Sequence, residues 1–191
     1  MNAMIGSGPT TRIVVDVTFL CMDAPPAGPA AVLPEGYRIA RHPAPDAAFY
    51  RVLYDGVGQD YCWWMRRVMP EGELTALLRD PRVQLHVLWR GEEACGFFEL
   101  DRQVPGEVNL AYFGLMPGQI GHGIGRAFLR AALDEAWGWR PQSVRVNTCS
   151  ADHPRAMETY RQAGFRVVRT VREVWDIPDR LGMRVPAALL V

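Results

Sequence analysis

Alternating apolar and polar residues mark three successive strands in the middle of the chain. Val83, Leu85 and Val87 alternate with Gln84 and His86, which is the period of a strand with one buried face. Turn residues follow at 90–93 and at 105–106, and apolar segments at 94–101 and 108–116 lie beyond each turn. The pattern predicts a three-stranded antiparallel meander.

The segment 122–138 has the period of a helix instead. Arg126, Arg130 and Asp134 recur every four residues, and the opposite face carries apolar residues, namely Phe128, Leu129, Ala132, Leu133 and Ala136. Such a stripe is typical of a helix packed on a sheet. By the same reasoning we predict further helices at 46–54, 71–79 and 154–163, the last with Asp152 as its N-cap and Gly164 as its stop.

Further strands are predicted at 13–22, 37–41, 143–148 and 165–177. Together the elements predict an α/β fold with a mixed sheet of six or seven strands, formed by one domain over residues 12–177. Residues 1–11 read as a flexible lead-in. The tail 178–191 ends in apolar residues, which predicts packing either onto the domain or onto a second copy in a homodimer.

Composition restricts the classes of partner. The chain has 21 basic and 21 acidic residues, so no net charge favours nucleic acid or an anionic membrane surface. The four cysteines are far apart in sequence and form no CxxC pair, which favours core residues in a reducing compartment over a metal site. The apolar run 13–22 contains Asp16 and is too short to span a bilayer. We therefore expect a cytoplasmic protein that binds no metal, no nucleic acid and no membrane.

Three alternate glycines stand where the third strand of the meander gives way to the helix. Gly121, Gly123 and Gly125 lack side chains, so an anion can approach the unpaired N–H groups at the helix start. An ordinary strand-to-helix turn explains an isolated glycine cluster about equally well. The segment has no Gly-Lys-Ser/Thr, which excludes a P-loop, and it follows a meander, which fits a dinucleotide-binding βαβ unit poorly.

Two stretches together resemble the GCN5-related N-acetyltransferase (GNAT) superfamily. Residues 115–127, LMPGQIGHGIGRA, resemble its pyrophosphate loop, and residues 156–165, AMETYRQAGF, resemble its Ala-x-x-x-Tyr-x-x-x-Gly-Phe signature. The resemblance extends over about residues 37–177. Within the superfamily, the sequence is more narrowly similar to a bacterial subgroup whose acceptor is unassigned. Ile120 departs from the usual Arg or Gln of the loop, and His153 from a frequent Asn.

The resemblance implies a fold, an activity and a set of site residues. The implied fold is a mixed, mostly antiparallel sheet with helices on both faces and a V-shaped cofactor cleft. The implied activity is acetyl transfer from acetyl-CoA to an amine of a small molecule or peptide. The implied cofactor-binding residues are Leu115, Gly121, His122, Gly123, Ile124, Gly125, Arg126, Asn147 and Tyr160.

Tyr160 matches the tyrosine that protonates the departing CoA thiolate in the family, because a phenol with a pKa near 10 is protonated at neutral pH. Packing against the sheet is the alternative for a lone helix tyrosine. Glu99 is the first candidate for the base that deprotonates the amine, directly or through water. A solvated strand carboxylate is the alternative interpretation of Glu99.

The aromatic segment 59–65 and the meander supply the predicted acceptor side. The candidate substrate-binding residues on this side are Asp60, Tyr61, Trp63, Trp64, Asn109 and Tyr112. The rings either wall an acceptor or fill the core beneath the loop. Asp60 suits an amine, whereas Arg66 and Arg67 suit a carboxylate, so the charge of the acceptor stays open. The alternative function is a CoA-binding sensor or interaction module without turnover.

Overall fold

Seven strands pair into one sheet within residues 8–191, the part of the chain that this computed structural model describes. The strands are β1 (Thr10–Met22), β2 (Tyr37–His42), β3 (Val83–Arg90), β4 (Glu93–Asp101), β5 (Glu107–Leu115), β6 (Ser143–Cys149) and β7 (Arg166–Pro178). β1 begins inside the segment predicted as a lead-in, since Thr10 and Thr11 already pair with Pro178 and Ile177. Residues 1–7 of that predicted lead-in lie outside the described residues.

The sheet has the order β2-β3-β4-β5-β6-β1-β7. β5 and β6 are parallel, and the other neighbours are antiparallel. The predicted meander is present as β3, β4 and β5. The first strand of the chain lies between β6 and β7: its residues Val17–Met22 pair with β6, and its residues Thr10–Cys21 pair with β7.

Five helices cover the two faces of the sheet in the described part of the chain. They are α1 (Ala47–Gly58), α2 (Met65–Val68), α3 (Glu71–Arg79), α4 (Ile124–Gly138) and α5 (Ala156–Gln162). Asp46 caps α1 by accepting a 2.7 Å hydrogen bond from the Phe49 N–H. The predicted end of this helix at residue 54 is wrong: α1 continues to Gly58, where a Cβ would lie 2.4 Å from the Trp63 Cβ. Gly58 therefore makes room for Trp63.

The core lies on both sides of the sheet, because alternate strand residues point to opposite faces. On one face α4 and α5 pack on residues such as Leu88, Phe98 and Leu110. On the other face α1 and α3 pack on Leu85, Val87 and Phe97. Helices on both faces and a mixed sheet confirm the predicted fold class.

A third cluster lies where β1 and β7 meet the aromatic segment. Ile13, Val15 and Trp175 are buried there against Trp64. The C-terminal tail also packs on this cluster, and the Val191 N–H donates to the Arg12 carbonyl at 3.4 Å. Of the two predicted locations for the tail, the structure shows the one on its own domain.

Candidate functional site

A cleft opens where β5 and β6 separate. Within the described residues the two strands are paired over Glu107–Leu110 and Ser143–Val146. Beyond this point β5 contains one extra residue, Ala111, because Leu110 faces Leu100 whereas Tyr112 faces Glu99. Such a bulge bends its strand. The resulting cleft has a volume of about 1110 Å³.

One end of the cleft consists of bare backbone. Gly121 and Gly123 have φ values of +90° and +78°, and a Cβ on either residue would meet no atom within 4 Å. α4 begins at Ile124, with Gly123 as an N-cap that provides no side-chain hydrogen bond. The first N–H groups of α4 therefore have no helical partner and face an open approach.

The predicted helix start at residue 122 is wrong by two residues. The left-handed conformation of Gly123 is incompatible with a right-handed helix, so α4 begins only after it. The same conformation turns the chain so that the loop borders the cleft.

Most of the predicted cofactor residues line the cleft. They are Leu115, Gly121, Gly123, Gly125, Arg126, Asn147 and Tyr160. Ile124 is 1% exposed and packs in the core, so its backbone alone is available. His122 is exposed at the loop and is not part of the lining. Arg126 donates to the Gln162 Oε1 at 2.8 Å, which holds its guanidinium beside the loop.

Tyr160 lies on α5 at the wall of the cleft. It is 7% exposed and makes edge contacts with Phe113 and Phe165, with ring centroids 6.4 and 5.9 Å away. Burial, followed by the charge of Asp152, raises the pKa of the Tyr160 hydroxyl above its ordinary value. The hydroxyl therefore keeps its proton at neutral pH and remains a donor.

Glu99 lies behind the wall of the cleft. Its side chain is 1% exposed; Oε2 accepts from the Tyr50 hydroxyl at 2.5 Å and Oε1 from the Arg66 Nη2 at 2.7 Å. The alternative of a solvated strand carboxylate is therefore wrong, because β4 is covered by α1 at this point. Glu99 is not among the residues that line the cleft. Its role as a base stays a prediction.

Arg66 lines the cleft beside the buried Glu99. Burial is the largest single influence and acts to lower the pKa of Arg66, but the charge of Glu99 together with the Tyr50 and Tyr112 hydroxyls outweighs it, so the pKa of the guanidinium is raised. The guanidinium carbon lies 5.3 Å from the centroid of the Tyr112 ring, a cation–π geometry. Arg67 forms a separate ion pair with Asp55 at 2.9 Å. Both arginines proposed for an acceptor carboxylate thus already hold carboxylates.

The two interpretations of the aromatic segment apply to different rings. Trp64 is 4% exposed and belongs to the cluster around Trp175, although one edge borders the cleft. Trp63 is half-buried, lines the cleft, and packs edge-on to Tyr112 with centroids 5.0 Å apart. Tyr61 and Asn109 also line the cleft, whereas Asp60 is exposed outside it.

Asp152 lines the cleft, although the sequence predicted it as the N-cap of a helix. It does not cap a helix: α5 begins at Ala156 and its N-cap is Arg155. Its Oδ2 accepts from the Thr148 hydroxyl and the Cys149 N–H, both at 2.8 Å, and its Oδ1 from the Trp63 indole at 3.3 Å. An Asp shortly after a strand is a signal for such a turn, but the indole partner lies 89 residues away in sequence.

No group of three or more His, Cys, Asp or Glu side chains in residues 8–191 is placed to hold a metal ion. No helix of the described range is long and apolar enough to cross a membrane.

Comparisons with known proteins bear on the fold and the family. The sequence model described as the Acetyltransferase (GNAT) family matches residues 42–165. A search of the curated proteins finds no match. A solved GCN5-related N-acetyltransferase from Sphaerobacter thermophilus is 20% identical with a TM-score of 0.59, and the alignment covers 93% of this chain and 56% of that one.

Two further solved structures have the same architecture. A tandem GNAT protein from the clavulanic acid biosynthesis pathway is 16% identical with a TM-score of 0.63, covering 91% of this chain and 56% of that one. A GCN5-related N-acetyltransferase from Kribbella flavida is 14% identical with a TM-score of 0.56, covering 91% and 63%. This chain thus spans little more than half the length of these proteins, and at such identities the likeness shows the fold.

Proposed function

Since this chain belongs to the GNAT acetyltransferase family, we propose that it transfers the acetyl group of acetyl-CoA to a primary amine of a small molecule or peptide. The observation that carries the proposal is the shared cleft: the bare glycine loop at the start of α4 and the protonated Tyr160 line the same cavity. A phosphate-binding end and a proton donor in one cleft suit transfer from a phosphate-bearing thioester.

The loop fits the pyrophosphate of acetyl-CoA. Free N–H groups and the positive end of α4 attract an anion, and the absence of side chains at Gly121 and Gly123 lets it approach. Arg126 adds a positive charge beside them. The backbone of Leu115, at the end of β5, is proposed to bind the pantetheine arm. When bound, acetyl-CoA supplies an activated acetyl carbon and a thiolate leaving group.

Different residues have different roles in the proposed acetyl transfer. The neutral amine nitrogen attacks the acetyl carbon, a C–N bond forms and the C–S bond breaks. The attacking nitrogen releases one proton to solvent, while Tyr160 gives its hydroxyl proton to the departing sulfur and regains one from solvent. Asn109 and Tyr112 are proposed to orient the acceptor, and Trp63 walls it from the side.

Glu99 is proposed to position Arg66 and, through it, Tyr112. Both oxygens of its carboxylate are engaged and the side chain is buried. Removal of the amine proton by Glu99, directly or through water, requires Arg66 to move first. We propose a cytoplasmic enzyme, since all four cysteines are free and disulfides accumulate in oxidising compartments.

The test combines binding with turnover. Calorimetric titration with acetyl-CoA, CoA and ATP is followed by a free-thiol release assay over polyamines, amino acids and short peptides. We expect acetyl-CoA and CoA to bind, ATP to bind more weakly, and at least one amine to release CoA. Binding without turnover over the panel favours the CoA sensor, and failure of acetyl-CoA to bind overturns the proposal.

A further inference from the structure

The last strand of the sheet has an open edge. β7 is 13 residues long and pairs with β1 on one side, while no strand of the described range pairs with its other side. From Arg166 to Arg172 every residue is exposed. A long open edge presents unpaired backbone N–H and C=O groups to any second strand.

The edge also carries apolar side chains. Val167, Val168, Val171 and Val174 are 45%, 46%, 36% and 55% exposed. They make up four of the eleven exposed large apolar side chains among the described residues, so exposure of this kind is concentrated on one strand. An apolar edge strand of this length is typical of a strand that pairs with another chain.

We propose that β7 pairs antiparallel with β7 of a second copy of this chain, with the two-fold axis at Val171. This inference concerns assembly and goes beyond the proposed reaction. In this register Val171 faces itself, and Arg169 of each copy lies opposite Glu173 of the other, within the part of β7 that has one regular register. Cross-strand pairs of opposite charge stabilise a sheet, and directly opposed like charges destabilise it.

Charge distinguishes this register from its neighbours. The two-fold axis of such a pair passes through one residue position, because directly opposed side chains lie on the same face of the sheet. An axis at Arg169, Arg172 or Glu173 sets a charged residue against itself, and an axis at Thr170 opposes no two opposite charges. The register centred on Val171 therefore sets Glu173 against an arginine and opposes no like charges.

The strand geometry is compatible with this pairing. The register of β7 with β1 is unbroken from Arg169 to Pro178 and shifts at Val168, so Arg169, Val171 and Glu173 lie in the regular part of the strand and share one face. Two neighbouring arginines already contact exposed carboxylates, Arg166 with Asp23 and Arg172 with Asp16. Such exposed pairs are weak and easily shared.

The pairing has a consequence for the cleft. Glu173 lines the cleft and accepts a 2.8 Å hydrogen bond from the Trp175 indole. In the proposed dimer the partner subunit's Arg169 lies opposite Glu173. The second copy thereby adds a positive charge at the rim of the acceptor end.

The test is a charge exchange measured on the full chain by sedimentation equilibrium. Arg169→Glu and Glu173→Arg each oppose like charges twice across the two-fold axis, and we expect each to raise the Kd of the dimer roughly tenfold or more. The double variant restores opposite charges in this register, and we expect it to dimerise like the wild type. Circular dichroism and the unfolding midpoint verify that all three variants are folded.

A cysteine substitution tests the register independently. Val171→Cys places two thiols opposite each other across the axis, so mild oxidation yields a covalent dimer, whereas Val52→Cys, exposed on α1, serves as the control and forms no disulfide-linked dimer. A wild type that is monomeric at all concentrations overturns the proposal. So does a dimer that single charge reversals leave intact, or one that the double variant does not restore.

Discussion

The two ends of the cleft are built from different materials. At the glycine loop Gly121 and Gly123 leave backbone N–H groups uncovered, with no atom within 4 Å of where a side chain would start. Around Arg66 the side chains of Glu99, Arg66 and Tyr50 are joined by hydrogen bonds of 2.5 and 2.7 Å. The glycine loop can bind a ligand because it has no side chains over its backbone N–H groups. The wall around Arg66 keeps its shape because its side chains are hydrogen-bonded to one another.

The largest expected effect is the loss of unfolding free energy when the Glu99 carboxylate is removed from the buried Glu99–Arg66 pair. Glu99→Leu leaves Arg66 buried without its carboxylate, which costs about 3–5 kcal/mol of unfolding free energy. Urea denaturation followed by tryptophan fluorescence measures the loss. The Asp16→Asn variant is the control, because both side chains of the Asp16–Arg172 pair are exposed and such pairs contribute at most about 1 kcal/mol.

The double variant Glu99→Leu with Arg66→Met sharpens this result. Replacing both partners of a buried pair by apolar residues leaves no unpaired charge, so we expect it to be more stable than Glu99→Leu alone. If the double variant is less stable than Glu99→Leu alone, the unpaired charge of Arg66 is not what destabilises the Glu99→Leu variant.

The next largest effect is expected at Tyr160, between the two ends. Tyr160→Phe keeps the ring and removes the proton donor, so kcat is expected to fall about 100-fold while the affinity for CoA is unchanged. Thiol release and calorimetry measure the two quantities. An unchanged kcat would exclude Tyr160 as the proton donor.

The raised pKa of Tyr160 adds a pH dependence. Tyr160 is active when protonated, so its contribution is complete below the ordinary tyrosine pKa of about 10 and is lost as pH rises through the higher folded pKa. We therefore expect no loss of kcat on the alkaline side below about pH 10. An alkaline loss in wild type at lower pH that Tyr160→Phe abolishes would contradict the raised pKa.

A side chain in the donor loop is expected to have a smaller effect. Gly123→Val forces a β-branched residue into a φ of +78° and covers the N–H groups, so we expect the Kd for CoA to rise about tenfold. Gly118→Ala is the matched control, since a Cβ there also meets no atom within 4 Å and its φ is not positive. Equal affinities of the two variants would mean that the loop does not bind the pyrophosphate.

The smallest expected effect is a gain in affinity for CoA. Ile120 is 37% exposed beside the loop, and Ile120→Arg adds a charged donor near the proposed phosphate site. A charge-assisted hydrogen bond at this exposed position is expected to tighten CoA binding about threefold. Ile120→Leu controls for loss of the isoleucine, and calorimetry compares all three proteins.

Local features of the fold were predictable because their causes are local. The meander follows from alternation and turn residues, and α4 follows from a four-residue repeat, so strands and helix differ from prediction mainly at their ends. The start of α4 was misplaced because a repeat does not report the φ of Gly123. The helix assigned to Asp152 was misplaced because an aspartate before a helix also suits a strand-ending turn.

The sequence by itself determined the α/β fold, the bare glycine loop and the tyrosine of α5, because each depends on residues close together along the chain. Tertiary structure alone decided the position of β1 between β6 and β7 and the burial of Glu99. Tyr50, Arg66 and Trp63 meet partners 49, 33 and 89 residues away. Such contacts depend on how distant segments pack, and no local pattern of residue types encodes which side chains will meet.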